Sequence, residues 1–215
     1  MKATPRAPTS SVRGPAWAPL ALLAILAACG ADGGSSGTGI STVAGNVASV
    51  DLAPGETVDG IVVSVEGTKA TDATDSAGRF EIRGGFEGEV TVVFSSSAPS
   101  VLGRAVVNVP PQGTLTLEDV RIDSSQETAT PAVQRVDCEG VIDAIDCSAQ
   151  KLLFVSPGDS GDRDQYTLLL DGAFIHDGNG NVIPCDALEL GDEIRVRAVV
   201  DAAGSFTQAD VEVQR

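Results

Sequence analysis

Few residues in this chain have the types and spacings that could do chemistry. Ser160, within Gly158-Asp159-Ser160-Gly161-Asp162, could act as a nucleophile only with a general base beside it, and the one histidine in the chain is His176. Asp177-Gly178-Asn179-Gly180-Asn181 spaces the oxygens of Asp177, Asn179 and Asn181 as in the first half of a twelve-residue calcium loop. Such a loop needs Gly at its sixth position for a sharp turn and a bidentate Glu at its twelfth; here they are Val182 and Leu188. These three residues are therefore weak metal candidates, and the Asp-Gly and Asn-Gly steps read first as turn formers. A lone histidine excludes a His-rich zinc site and leaves His176 as a loop residue. With 30 Asp and Glu, paired carboxylates occur almost anywhere, so they select no acid–base catalyst.

Charge narrows the partners. The 215 residues carry a formal charge of −16. Lys2, Arg6 and Arg13 lie in the first 28 positions, which hold no acid, so the remaining 187 residues set 11 bases against 30 acids and carry −19. Nucleic acid and anionic headgroups are bound mainly by Lys and Arg displacing counterions, so a polyanion partner is not expected. Residues 40–123 carry −7 and residues 132–215 carry −10, so the C-terminal region is the more acidic. Aromatic platforms for sugars or bases are few: one Trp (Trp17), one Tyr (Tyr166) and six Phe.

Three basic residues precede an apolar run from Ala18 to Ala28. Eleven helical residues rise about 16 Å, roughly half a hydrocarbon core, which suits a signal-peptide core and not a membrane span. The run ends in Leu26-Ala27-Ala28-Cys29. This resembles a bacterial lipoprotein signal: Leu, a small residue, Ala or Gly, then the cysteine that accepts lipid. The resemblance implies cleavage after Ala28 and three acyl chains on Cys29, an anchor far stronger than one chain provides. Gly30 stands where inner-membrane retention would favour Asp, which points to the outer membrane. Residues 29–39 continue as a Gly- and Ser-rich tether with a reach of about 17 Å. The Ser160 segment is similar to the Gly-Asp-Ser-Gly-Gly signature of chymotrypsin-type proteases. Those enzymes place their histidine well before the serine, whereas His176 follows it, so the segment reads as a turn.

The elements that must carry these residues are strands. In residues 40–123 period-two alternation groups Ile61, Val63 and Val65, then Phe80 and Ile82, then Val90, Val92 and Phe94. A last strand carries Leu115 and Leu117 on one face and then Val120 and Ile122, a phase slip that predicts a β-bulge at Glu118 and Asp119. Asp, Ser and Gly in residues 71–82 predict a hairpin. About seven strands between turns imply a sandwich. Gly45-Asn46-Val47, Val63-Ser64-Val65-Glu66-Gly67-Thr68 and Ala73-Thr74-Asp75-Ser76-Ala77-Gly78-Arg79-Phe80 resemble the carboxypeptidase regulatory-like (transthyretin-like) sandwich. That resemblance implies an accessory module without catalytic residues; a generic immunoglobulin-like sandwich fits the same strands. Residues 124–134, polar and containing Pro131, read as a linker between domains.

Residues 135–215 predict strands at Gly140–Asp146, Lys151–Val155, Gln165–Asp171, Glu193–Val200 and Phe206–Val213. Five strands with one long connection fit a small OB-like barrel. Gly140-Val141-Ile142-Asp143-Ala144-Ile145-Asp146, Leu188-Glu189-Leu190-Gly191-Asp192, Ala203-Gly204-Ser205-Phe206 and Ala209-Asp210-Val211 resemble small OB-like domains of unknown function in bacterial exported proteins. In such a barrel the first and fourth strands run antiparallel, which brings Cys147 to Cys185 and leaves Cys138 as a spare thiol. Three reduced thiols, or a Cys138–Cys185 bridge, remain open alternatives.

An all-β protein is thus expected: a transthyretin-like or immunoglobulin-like sandwich followed by an OB-like five-stranded barrel. It should be exported, lipid-anchored in the bacterial envelope and not an enzyme, with no cofactor and no nucleic-acid partner. It would serve as an interaction or structural module for an envelope protein or glycan. The alternative is a ligand-binding lipoprotein that grips a glycan or Ca²⁺ in the acidic loops of the C-terminal domain.

Overall fold

Alternating apolar and polar residues build strands along the whole described chain. The computed structural model describes residues 39–51, 57–96, 100–156 and 165–215, and among them there is no α-helix. The first eight strands are β1 (Ser41–Val50), β2 (Val62–Val65), β3 (Thr71–Ala73), β4 (Arg79–Gly84), β5 (Gly88–Ser95), β6 (Val101–Val109), β7 (Thr114–Asp123) and β8 (Thr128–Thr130). They form two layers. One has the order β4-β1-β7, with β1 parallel to β7, and the other is the antiparallel set β3-β2-β5-β6. Val43, Ile82, Leu115 and Leu117 of the first layer join Val63, Val92 and Phe94 of the second in one buried cluster. Phe80 meets Phe94 edge to face, with ring centroids 5.7 Å apart, a favoured aromatic geometry.

The expected bulge is present. While β1 advances from Gly45 to Val47, β7 advances from Leu117 to Val120, and Asp119 takes a left-handed φ of 51°. Asn46 secures the extra residue, its Nδ2 donating to Asp119 Oδ1 at 2.9 Å and its Oδ1 accepting from the Asp119 N–H at 3.1 Å. Two expectations change. The turn in residues 71–82 exists: Asp75 Oδ1 accepts from the N–H of Ala77 and of Arg79. Its flanking strands do not pair as a hairpin, because β3 pairs with β2 and β4 pairs with β1, so the turn is a corner between layers. Asp72 substitutes for the missing ladder by accepting the Glu81 N–H at 2.7 Å.

The expected linker at 124–134 is also corrected. Asp123 caps a tight turn by accepting from the N–H of Ser125 and of Gln126. The chain then returns as β8, antiparallel to β7 and bridged to β6 at Arg104–Thr128, so it closes one side of the sandwich. Ala129 is its buried residue. A polar segment can fold this way because a short strand between two others needs only one apolar side chain to hold its backbone in place.

The remaining strands are β9 (Val133–Asp146), β10 (Lys151–Val155), β11 (Gln165–Leu169), β12 (Phe174–Asp177), β13 (Glu193–Val200) and β14 (Phe206–Gln214). β9 pairs with β10, β10 with β11, β11 in parallel with β14, β14 with β13, and β13 back with β9. This ring is a closed five-stranded OB-like barrel. Phe154, Tyr166 and Phe206 fill it, with centroids 5.3 to 5.7 Å apart. Gly140 is required where the ring of Phe154 crosses β9, since a Cβ there would lie 2.4 Å from that ring. The short β12, which the sequence reading missed, runs parallel to β14 beyond the point where β11 leaves it.

Sandwich and barrel share β9. Its residues 133–137 pair with β7, 135–141 with β13 and 141–146 with β10. At the junction two buried serines tie down the loop between β6 and β7. Ser41 Oγ donates to the Pro110 carbonyl, and Ser156 Oγ approaches the carbonyls of Pro111 and Glu139. The described residues lie within one compact unit.

Two glycines separate backbone strain from steric conflict. Gly60 and Gly78 both have left-handed φ, 76° and 74°, but a Cβ at Gly60 meets nothing within 4 Å, whereas one at Gly78 would lie 2.3 Å from the Val47 carbonyl oxygen. Gly60→Ala should cost about 1 kcal/mol, the ordinary left-handed penalty. Gly78→Ala should cost at least about twice that, because a β1 carbonyl must move. Urea denaturation of both variants checks the difference; equal losses would contradict the close approach.

Candidate functional site

The outward side chains of one continuous layer, β4-β1-β7-β9-β13-β14-β12, make the most organised surface among the described residues. Register places Arg83, Thr42, Thr114, Asp137, Arg197, Asp210 and Phe174 in one row across its seven strands. The strands alternate, so a buried residue on one side of each position fixes an outward residue next to it. Val136 and Cys138 are buried, and Asp137 points out; Val196 and Ala198 are buried, and Arg195 and Arg197 point out.

Asp137 is the centre of this surface. Arg195 grips it with two parallel bonds, Nε to Oδ1 and Nη2 to Oδ2, both 2.8 Å, and Arg197 Nε lies 3.4 Å from Oδ2. The hydrogen-bonded Arg195 guanidinium holds the Asp137 carboxyl below its usual range, against the opposing effect of partial burial. Arg197 Nη1 also reaches Asp210 Oδ2 at 3.7 Å, and Asp210 Oδ1 accepts from His176 Nε2 at 2.8 Å. The chain of charges therefore runs from β9 through β13 and β14 to β12. Beside it Arg135 pairs with Glu118 at 2.7 Å. Depressions open along this face. A hollow of about 350 Å³ lies among Thr116, Arg135, Asp137, Arg197, Gln208 and Asp210, and an open groove of about 1060 Å³ lies among Ala44, Asn46, Arg79, Thr116, Glu118 and Asp119. Thr116 lines both.

Such an arrangement can recognise a partner through fixed donors and acceptors of both signs. Its arginines are oriented by carboxylates on neighbouring strands, which favours specificity over raw affinity. The sequence reading placed Arg195 and Arg197 within the expected strand Glu193–Val200. It missed their partner Asp137, which falls N-terminal to the first expected barrel strand; Asp210 stands on an expected strand, β14, but its contact with His176 depends on β12, which was not foreseen.

The residues singled out from sequence fall elsewhere. Cys29 and the segment from Gly158 to Asp162 with Ser160 lie outside the described residues. Asp177, Asn179 and Asn181 do share one loop, but the Asp177 carboxylate is turned onto that loop. Oδ1 accepts from the N–H of Asn179 and of Asn181, both at 2.9 Å, and Oδ2 accepts from Asn181 Nδ2 at 2.9 Å. The Asn181 side chain, largest of these contacts, holds the Asp177 carboxyl below its usual range. This is turn chemistry, and His176 is a strand residue beside it, not a loop residue. Among the described residues no group of three or more His, Cys, Asp or Glu is gathered as a metal cluster.

Cys147 and Cys185 are bridged, with Cα atoms 5.8 Å apart, the pairing that an antiparallel β9 and β13 implies. Cys147 follows β9 directly, and Cys185 opens a single 3-10 turn, Cys185–Ala187, in the long connection before β13. That connection is drawn to β9 where the Ile142 N–H donates to the Asp192 carbonyl and the Gly191 N–H donates to the Ile142 carbonyl. Among the described residues Cys138 is the free thiol, and it is buried. Burial, reinforced by Asp137 and Glu139, pushes its pKa up to about 12, so almost no thiolate exists at neutral pH.

No protein-family model matches this sequence, and no curated protein matches it either.

The cysteine states give a direct test. In the native, unreduced protein, iodoacetamide at pH 8 should leave Cys138, Cys147 and Cys185 unmodified. After denaturation without reductant, Cys138 alone of these three should be alkylated, and mass mapping checks both states. Replacing Cys147 and Cys185 together by Ser should lower stability by at most about 4 kcal/mol for a loop spanning 38 positions. Rapid native labelling of Cys138 would contradict its burial.

Proposed function

We propose that the protein is an exported bacterial envelope lipoprotein, held in the membrane by acyl chains on Cys29, whose sandwich and barrel act as a non-enzymatic interaction or structural module. One observation carries the reading: an eleven-residue apolar run preceded by three basic residues ends in Leu26-Ala27-Ala28-Cys29. The Cys147–Cys185 bridge supports export, because structural disulfides persist in oxidising compartments and are rare where thiols are kept reduced. Gly30 after the acceptor cysteine favours the outer membrane.

The interaction role is supported by what the described surface offers. Its ordered side chains are arginine–carboxylate pairs spread across strands, suited to binding a folded envelope protein or a glycan through many weak, oriented contacts. A charge of −19 beyond residue 28 opposes nucleic acid and anionic lipid, which leaves the lipid on Cys29 as the membrane contact.

Cys29→Ser keeps the side chain's size but removes the lipid acceptor. Cells fed a palmitate analogue should label the native protein and not the variant, and the variant should accumulate with its signal uncleaved. Labelling of the variant at the native level would sink the lipoprotein reading.

A further inference from the structure

His176 is the chain's only histidine, and both of its ring nitrogens face acceptors. Nδ1 lies 2.7 Å from the Asp177 backbone carbonyl, and Nε2 lies 2.8 Å from Asp210 Oδ1. A carbonyl and a carboxylate donate nothing, so both contacts are hydrogen bonds only when both nitrogens carry protons, that is, when the ring is an imidazolium. A neutral imidazole has one N–H and one lone pair, and the lone pair would then face an oxygen.

The position of the ring gives this choice a consequence. β12 and the segment to Ile183 form a small hairpin: Asp177 and Asn181 pair, Ile183 donates to the Ile175 carbonyl, and His176 bridges to Val182. β12 lies on β14 through four register pairs, from Phe174–Asp210 to Asp177–Val213. Of the four β12 side chains only Ile175 is buried. The His176–Asp210 contact is thus a polar side-chain tie between this hairpin and the barrel, beside the apolar anchors Ile175 and Ile183. The hairpin displays two large apolar residues, Phe174 at 50 % and Val182 at 69 % exposure, with the Phe174 ring 5.1 Å from the imidazole.

We propose that His176 is a proton-operated latch: as an imidazolium it fastens the β12 hairpin to β14 through Nε2 and braces the hairpin's own backbone through Nδ1, and on losing its proton it gives up one of these two bonds and loosens the strip that presents Phe174 and Val182. The charged groups around it favour the fastened state. From β14, Asp210 accepts its proton and Glu212 is its register partner; from its own strand the neighbour is Asp177, whose carboxylate is engaged by its own loop. From β13, Arg197 reaches Asp210 at 3.7 Å and Arg195 stands in register with Glu212; both oppose the positive ring, but each is paired with the Asp137 carboxylate, at 3.4 Å and 2.8 Å respectively. The Asp177 carbonyl, followed by Asp210, raises the His176 pKa above its ordinary 6.5. A folded state that holds the proton more tightly than the unfolded chain gains stability below that ordinary value and loses it as pH rises through the folded value.

The test uses the full-length chain in detergent. Nitrogen-15 NMR of the single imidazole should show both nitrogens protonated at pH 6 and a midpoint above 6.5. Asp210→Asn, which keeps the fold, should move that midpoint down. Hydrogen exchange at the Asp177 and Ile183 amides should be slower in the native protein than in His176→Gln by roughly fivefold at pH 6, the size of one net hydrogen bond, and the two should converge above the midpoint. A midpoint at or below 6.5, no change in Asp210→Asn, or the same native-to-variant exchange ratio at both pH values would overturn the latch.

Discussion

β9 hydrogen-bonds to three different strands, and neither half of the molecule is complete without it. Its first five residues extend the β4-β1-β7 layer of the sandwich, its middle pairs with β13, and its last six pair with β10 to begin the barrel. Backbone amides buried at such a junction must all find partners, because each one left unsatisfied costs on the order of a net hydrogen bond or more. The strand therefore cannot be given up by one half without exposing the other. The buried serines 41 and 156, bonded to the loop that carries Pro110 and Pro111, extend the same constraint to the side chains at the seam. A bulge between Ile142 and Ala144 lets β9 curl from the flat layer into the closed ring.

The sharing of β9 also explains where the ordered charges lie. Residues pointing inward from it, Val136, Cys138 and Ile142, belong to the core, so Asp137 between them must face the solvent side of the layer, where Arg195 and Arg197 of β13 meet it. Five other acids are occupied differently. Asp75, Asp123, Asp146, Asp177 and Asp201 each accept backbone N–H bonds from the next few residues and hold a turn. An acid-rich composition here is therefore largely turn chemistry together with a solvated surface. Among the described residues it gathers no group of three or more that could hold a metal ion.

What the sequence made legible follows from local rules. The two-residue period, the phase slip at Glu118 and Asp119, and the antiparallel first and fourth barrel strands are consequences of neighbouring residues and of one topology. The bulge and the Cys147–Cys185 bridge both follow from them. What was not legible depends on distant partners. Residues 124–134 are polar enough to read as a linker, and they become β8 and the start of β9 only because β6 and β7 offer backbone groups to them. The turn at Asp75 was foreseen from its residues, but not that its two strands would join different layers. β12 escaped notice because one buried residue, Ile175, carries no periodic signal. The charged face was half visible: outward arginines can be read from alternation, their carboxylate partners only from register.

Sandwich and barrel, joined through β9, are expected to behave as one cooperative body. A site-specific protease sequence placed in the exposed turn at residues 124–127 of the full chain tests it directly, since the disulfide lies wholly on the C-terminal side of the cut and cannot hold the pieces together. After cleavage the two fragments should stay associated through native size-exclusion chromatography in detergent, and should unfold in urea in a single transition seen alike by far-ultraviolet circular dichroism and by Tyr166 fluorescence. Fragments that part in native buffer, each keeping its own cooperative unfolding transition, would contradict it.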